Sequence, residues 1–487
     1  MKISLTTFSQ REPSDLLIVP IWEGGIDPKG LNIHALLATG DFKGKLGETA
    51  VLYPEKEKEP RLLVLGLGKE EKGTLESIRR GFSAAARFAQ AKKVKTANVM
   101  LPRSSRLSPS DVTAAAAEGL FLTNYAFTEL KGASLKDSPV VLLERLSFLD
   151  IDKSDLLRIE RAKTVASGVY FARDLVNRNA DDKSPAVFAQ IALDLGKKYP
   201  KIHTTVLDKE KLEKEKLGLI LAVNRGSPQD PCLIVSSYTG NPGSKEHIVL
   251  LGKGIVFDTG GLNLKTGDGM QTMKCDLSGA ATVQGNLQMA AALDLKVNVT
   301  AVTPVTENGI DGNSFKPGDV YRSHSGKTVE ITSTDAEGRL VLADAMSYTL
   351  KHLKPTCMID LASLTGAIVV ALGEEISGLF TNDEHLYKDL MSASEKTGEL
   401  LWRMPIHADY RDSIKSDFAD MINTGGRDGG AIKAALFLQE FAGDVPWAHI
   451  DFAGCCFLSK PKHYNPTKGT GFGVRLLLDF LERRAAH

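Results

Sequence analysis

Two periodicities alternate along the chain. Short, nearly continuous apolar runs are separated by stretches in which apolar positions recur every three or four residues. Asp15–Trp22 (DLLIVPIW) and Arg61–Leu67 (RLLVLGL) read as buried strands, as do Ala97–Leu101 and Pro139–Leu143. Between them, Thr74–Ala91 carries Leu75, Ile78, Phe82, Ala85 and Phe88 at helical spacing. This alternation predicts an α/β domain over residues 1–150, with its own core. No group of acids, histidines or cysteines in that stretch suggests chemistry. Ser154-Asp155 then makes a good N-cap for a helical pattern that runs to about Asn177, read as a linker helix over 151–180. Ser184-Pro185 opens the next helix, with proline in its first turn.

The alternation is stronger over residues 181–487, predicted to be a second, larger domain. Strands are expected at Cys232–Ser236, His247–Leu251, Val297–Thr303, Thr328–Thr332, Thr356–Leu361 and Trp447–Phe452. Helices are expected at Ala280–Leu293, Leu340–Leu353, Leu386–Thr397, Ile432–Phe441 and Gly473–Arg484. Apolar strands alternating with helices predict a mostly parallel central sheet covered by helices on both faces. Ligands bind such sheets at the carboxyl ends of the strands.

Composition narrows the function classes more than the fold. The 487 residues exceed one compact core and predict more than one domain. Sixty basic and sixty acidic residues cancel, which gives no push toward nucleic acid. The five cysteines, Cys232, Cys275, Cys357, Cys455 and Cys456, show no CxxC spacing, so neither a zinc ribbon nor a disulfide framework is expected. The N-terminal segment has no apolar core of a signal peptide, and no apolar run approaches the roughly 18 residues that span a bilayer. The expectation is a cytoplasmic protein with no membrane segment.

Chemistry gathers where strands end. His247–Leu251 leads into Gly252-Lys253-Gly254, then Asp258, Gly260-Gly261, Lys265 and Asp276. Thr328–Thr332 leads into Ser333-Thr334-Asp335-Ala336-Glu337-Gly338-Arg339. Each part has an ordinary reading. Lys253 between glycines suits an exposed turn, Thr334-x-x-Glu337 suits a capping box, and Asp258 and Asp276 suit turns or N-caps. The combination argues otherwise. Four acids folded into one cleft repel each other and lose hydration, so they need compensating positive charge. Divalent cations supply it, and carboxylates suit Zn²⁺, Mn²⁺ or Mg²⁺. His324 precedes its strand and reads as a surface or otherwise satisfied polar residue. Paired divalent ions activate water and polarise a carbonyl, so the chemistry expected is metal-assisted hydrolysis, and no G-x-S-x-G elbow is present.

With these residues in hand, the chain resembles the leucyl aminopeptidase family of two-metal exopeptidases. STDAEGRL (Ser333–Leu340) matches the family signature NTDAEGRL at seven of eight positions. KPGDVYRSHSGKTVEIT (Lys316–Thr332), GKGIVFDTGG (Gly252–Gly261), LASLTGA (Leu361–Ala367), GGAIKAALFL (Gly429–Leu438) and WAHIDFAG (Trp447–Gly454) are similar to family segments as well. The resemblance covers roughly residues 165–487; before that it rests on domain order and size, and implies a macro-like N-terminal domain.

The resemblance implies that Asp258 and Glu337 bridge two divalent ions, zinc or manganese. Asp335 completes one site, and Lys253 and Asp276 the other. Lys265 stabilises the oxyanion, and Arg339 holds a bicarbonate that acts as general base. A metal-bridging hydroxide attacks peptides bearing a free N-terminus, whose amine binds one metal. Met273, with Ser363, Gly366, Ala453 and Cys456, would line a pocket for a leucine-like first side chain. A homohexamer, a dimer of trimers with an interior cavity, is implied too. Two departures stand out: Ser333 replaces the signature asparagine, where altered loop geometry is expected, and Ser278 stands where the family often has glycine, where it would cap the following helix. Two rival readings are a two-metal phosphoesterase and a DNA-binding role. Phosphate clamps usually call for more Arg and His near the metals. Some relatives bind DNA, but neutral charge and the lack of a helix-turn-helix or basic arm do not indicate it here.

Overall fold

The computed structural model describes residues 1–486. The chain divides into two compact units. The first is Met1–Tyr170 together with Lys460–Thr467; the second is Phe171–Ser459 with the chain from Lys468 on.

The first unit is built on six strands: β1 (Lys2–Thr6), β2 (Leu16–Ile21), β3 (Thr49–Leu52), β4 (Leu62–Gly66), β5 (Thr96–Val99) and β6 (Arg145–Leu149). Their order is β1-β6-β5-β2-β4-β3, parallel except for β3 at the edge. The two most apolar runs, β2 and β4, are buried along their whole length, as continuous hydrophobicity predicts for parallel strands covered on both faces. Thr74 caps the helix Leu75–Ala91 through a reciprocal hydrogen-bond pair with Ser77. One expectation fails here and one element was missed. Pro139–Leu143 is not a strand; the chain enters the sheet six residues later as Arg145–Leu149, once the proline and its flanking turns are past. Pro109–Thr123 is a helix that the alanine-rich, weakly periodic run concealed, although Ser108 and Pro109 form an ordinary helix start.

The second unit carries nine strands in one sheet: β7 (Ile202–Leu207), β8 (Cys232–Thr239), β9 (Ile248–Gly252), β10 (Gly254–Asp258), β11 (Asn298–Asn308), β14 (Cys357–Ala362), β15 (Ile376–Thr381), β16 (Leu400–Arg403) and β18 (Trp447–Asp451). The order is β16-β15-β18-β14-β9-β11-β8-β7, with β10 also paired to β11. The central run β18-β14-β9-β11 is parallel, and the antiparallel pairs lie toward its two sides. A separate three-stranded sheet contains β12 (Val320–Arg322), β13 (Thr328–Glu330) and β17 (Met421–Ile422). Thr328–Thr332 therefore does not extend the main sheet as expected; its strand is shorter and belongs to the small one.

Close helix–sheet packing fixes where β9 ends. Gly279, in the first turn of the helix Ser278–Ala292, sits so near β14 that a Cβ would lie 2.2 Å from the Leu361 carbonyl oxygen and 2.8 Å from the Lys253 amide nitrogen. Helix propensity favours alanine over glycine by about 1 kcal/mol. A clash with the backbone of a central strand cannot be relieved by rotating a side chain, and overpacking costs about 1–3 kcal/mol. Gly279→Ala is therefore expected to lower the urea midpoint of unfolding. A raised midpoint would mean that the helix shifts freely on the sheet.

Candidate metal centre and active site

The short break between β9 and β10 places Lys253. Its amide donates to the Leu361 carbonyl (3.0 Å) and its carbonyl accepts from the Ala280 amide (2.9 Å), so the backbone is tied to both β14 and the helix beneath. The side chain is buried, and Nζ lies 2.8 Å from Asp276 Oδ2 and 2.9 Å from Glu337 Oε1. Nζ also donates to the Ser363 carbonyl at 3.0 Å. Burial alone would push the Lys253 amine down. Asp276, Glu337 and Asp258 outweigh it, and the net direction is up.

Asp258 is the last residue of β10. Its Oδ1 accepts from the Gly260 amide (2.9 Å) and from Asn308 Nδ2 (2.8 Å), while Oδ2 faces Lys265 Nζ at 2.7 Å. Lys265 Nζ reaches Asp335 Oδ1 at 2.5 Å as well. The turn that lets Asp335 approach depends on Gly260, whose φ is +86° and whose Cβ, if present, would lie 2.8 Å from Asp335 Oδ1. Asp276 follows the 3-10 helix Gly267–Cys275, and its Oδ1 accepts the Ser363 hydroxyl at 2.7 Å.

Glu337 immediately precedes the helix Gly338–His352 and makes no side-chain cap there. The capping-box reading of Thr334-x-x-Glu337 is corrected accordingly. The Thr334 hydroxyl donates to the Gly260 carbonyl (2.6 Å) and accepts from the Asn263 amide (2.8 Å), which leaves the Glu337 carboxylate directed into the site. The Ser333 hydroxyl accepts from the Asp335 amide at 3.3 Å, within the same turn. Ser278 does not cap its helix; its hydroxyl donates back to the Cys275 carbonyl.

The electrostatics are those of an acid-rich, largely buried site. Burial raises the Asp276, Asp335 and Glu337 carboxyls above their usual range, and neighbouring carboxylates add to the effect. Four carboxylates face two ammonium groups. Arg339 stands close by, with its Nη1 donating to the Asn423 carbonyl at 2.8 Å. Its Nε is buried without a hydrogen-bond partner, and burial lowers the guanidinium to about 10.

The donor set fits divalent cations. Asp258, Asp335 and Glu337 each present a carboxylate oxygen within 4.8 Å of the others. Asp276 Oδ2 is buried without a hydrogen bond of good geometry, although Lys253 Nζ is 2.8 Å away. Hard oxygen donors with one amine suit zinc or manganese.

All these groups line one cavity of about 1080 Å³. Met273, Ser363, Gly366, Ala453 and Cys456 line it too, together with Leu264, Val369, Met404 and Ile432. Residues that hold the site in place were not evident from the sequence. Asn308 orients Asp258 from the end of β11, a strand that runs five residues beyond its expected limit. Asn423 accepts from the Thr332 amide (2.8 Å) and donates to the Ser333 carbonyl (2.6 Å), so it braces the loop before Asp335. Asp451 accepts from the Thr365 hydroxyl (2.6 Å) and the Leu364 amide (3.1 Å) beside Ser363. A lone asparagine at a strand end or in a loop carries no pattern that would single it out.

Carboxylates and lysines clustered in one cavity, around β9 and β10 of the large sheet and in the loop after β13 of the small one, are the kind of site a metal-dependent hydrolase requires. The family model for the catalytic domain of the cytosol aminopeptidase family matches residues 170–478, and that for the N-terminal domain matches 26–134. A probable cytosol aminopeptidase of Protochlamydia amoebophila (strain UWE25) is 47% identical over 493 residues, covering 99% of each chain. One of Chlamydia felis (strain Fe/C-56) is 44% identical, covering 97% of each. Among solved structures, a mutant of tomato leucine aminopeptidase superposes with a TM-score of 0.88 at 32% identity, covering 99% of this chain and 96% of its own. The bottromycin maturation enzyme BotP in complex with Mn gives 0.88 at 31% identity, covering 97% and 100%. The chain belongs to the cytosol aminopeptidase family. It is a metal-dependent aminopeptidase, a hydrolase acting at the N-termini of peptides.

Proposed function

We propose that this aminopeptidase holds two divalent ions, zinc or manganese, and prefers peptides whose free N-terminal residue is leucine-like. The observation that carries this reading is the convergence of Lys253, Asp258, Asp276, Asp335 and Glu337 in one cavity with Lys265 and Arg339. Asp258, Asp335 and Glu337 would hold one ion; Lys253 and Asp276, with Asp258 and Glu337 shared, would hold the other. Lys253 can join that set only as the neutral amine, after giving up the proton now directed at its carboxylate partners. Ions held at these positions would supply activation of water and polarisation of a peptide carbonyl.

The chain's own residues do the rest. Lys265, partly exposed, keeps its charge because Asp258 and Glu337 outweigh the effect of its burial. It would stabilise the negative charge that develops on the carbonyl oxygen. Arg339, with its buried unpartnered Nε, would hold a bicarbonate ion that supplies a general base. Met273 and the small residues Ser363, Gly366, Ala453 and Cys456 would accept the first side chain, as a mixed apolar lining suits leucine better than a charged group. The division of labour between domains that goes with this reading is an N-terminal macro-like domain over 1–150, a linker helix over 151–180 and the catalytic domain over 181–487. A homohexamer and a cytoplasmic location complete it. Among the described residues, no helix is long and apolar enough to cross a membrane.

The test is hydrolysis of leucine p-nitroanilide by metal-stripped protein, before and after adding Mn²⁺ or Zn²⁺, beside the N-acetylated substrate. Cleavage restored by metal, and restricted to the free amine, is the expected result. Equal cleavage of the acetylated substrate would overturn the amine recognition. Folded, metal-reloaded protein with no activity on leucine but activity on another residue would overturn the leucine preference alone.

A further inference from the structure

A second cluster of metal-capable side chains lies in the catalytic unit, outside the cavity described above. Glu215 ends the helix Lys209–Glu215, His324 sits in the turn between β12 and β13, and His352 ends the helix Gly338–His352. Each offers a ligand atom, and the three lie within 4.8 Å of one another. His352 Nε2 is 3.1 Å from Glu215 Oε2. His324, expected to be a satisfied polar residue, is not one: both its ring nitrogens are buried and neither has a hydrogen-bond partner. A buried imidazole with both nitrogens unpaired is costly, and groups of this kind call for a ligand.

One carboxylate fixes all three segments. Asp344 is fully buried. Its Oδ2 accepts from the Leu219 amide (2.7 Å) and the Ile220 amide (3.1 Å), just after Glu215. Its Oδ1 accepts from the His324 amide at 2.7 Å. Asp344 is also about two turns before His352 on the same helix. Tyr348, one turn from each, packs on His352 with tilted rings whose centroids are 4.3 Å apart, and lies 5.9 Å from the His324 ring. The backbone positions of the three side chains are therefore set in advance.

We propose that Glu215, His324 and His352 form a further cation site for a divalent transition ion of zinc's class, separate from the active centre. Two imidazoles and a carboxylate select such an ion over magnesium or calcium, which prefer oxygen donors throughout. Tetrahedral zinc holds its donors about 3.3 Å apart. Glu215 and His352, each with about a third of its side chain exposed, can close that gap by small rotations. Lys351 Nζ lies 3.5 Å from Glu215 Oε2, and its exposed side chain is free to swing out. The ion would tie the helix end at Glu215, the turn at His324 and the helix end at His352 together, stabilising the folded state by linkage.

The test uses the full-length protein with its active centre loaded, equilibrated with buffered Zn²⁺ and freed of excess. Bound zinc per chain and thermal midpoint are measured for the parent, His324→Ala, His352→Ala and Lys351→Gln. The parent is expected to bind one zinc more than either histidine variant. Added zinc should raise the midpoint of the parent and not that of His352→Ala. Lys351→Gln should bind the extra ion severalfold more tightly, because a like charge beside it is removed. His352 is exposed, so its variant folds even if His324→Ala does not. Equal zinc and equal midpoint shifts in the parent and His352→Ala would overturn the site, and would leave the reading of the active centre untouched.

Discussion

Glu337→Gln is expected to lower kcat/KM by about a thousandfold or more and to loosen bound metal, an effect of the size seen when a group acting directly at a reacting centre is removed. The substitution keeps volume and shape, so the fold should be retained. It changes charge where charge counts most. Glu337 is 1% exposed, 2.9 Å from Lys253 Nζ, and shares its site with Asp258 and Asp335. An amide there cannot neutralise a cation, and its NH₂ group turned toward one is repelled. Any ion served jointly by Asp258 and Glu337 loses half of that shared charge. The check is leucine p-nitroanilide turnover together with metal content by atomic emission, with circular dichroism to establish the fold. Full activity with full metal would remove Glu337 from the ligand set and leave its carboxylate as a partner of Lys253 only.

The reach of sequence reading follows from which interactions are local. β2, β4, β9, β14 and β18 were legible because strands buried on both faces are largely apolar; the polar exceptions in β14 and β18 include Asp360 and His449, which pair with each other at 2.6 Å. β1 was not, since its residues are mostly half-buried or exposed and KISLT carries no continuous run. β13 was legible as a strand but not as a member of the small sheet, because its partners β12 and β17 are chosen by tertiary packing. The N-terminal unit also takes in Lys460–Thr467, where Tyr464 reaches Glu76 at 3.5 Å; no short-range signal foretells such a return of the chain.

The candidate site divides along the same line. Its acids and lysines stand in two contiguous segments, so the charge argument could find them. The capping box was a sound local reading of Thr334 and Glu337 that lost to a long-range one: Thr334 is claimed by Gly260 and Asn263, and Glu337 faces Lys253. His324 shows the reverse case. Alone in sequence it has an ordinary reading, and only folding brings Glu215 and His352 to it.

Lys265→Ala provides the complementary result, because it separates chemistry from metal retention. Removing a single preorganised positive group at a developing oxyanion costs about 10²–10³ in kcat. Lys265 is proposed for that role: its Nζ lies 2.7 Å from Asp258 and 2.5 Å from Asp335, and 17% of its side chain is exposed. Lys253 is the opposite, 3% exposed and enclosed by Asp276, Glu337 and the Ser363 carbonyl. Lys265→Ala should therefore lower kcat by about two to three orders of magnitude while metal content stays at the parental level. KM should change much less, since the charge it answers exists in the transition state rather than in the bound peptide. Lys253→Ala should lose metal as well as rate, because it removes a donor and leaves Asp276 and Glu337 facing each other without the amine between them. Loss of metal in Lys265→Ala, with retention in Lys253→Ala, would mean that the roles of the two lysines are exchanged.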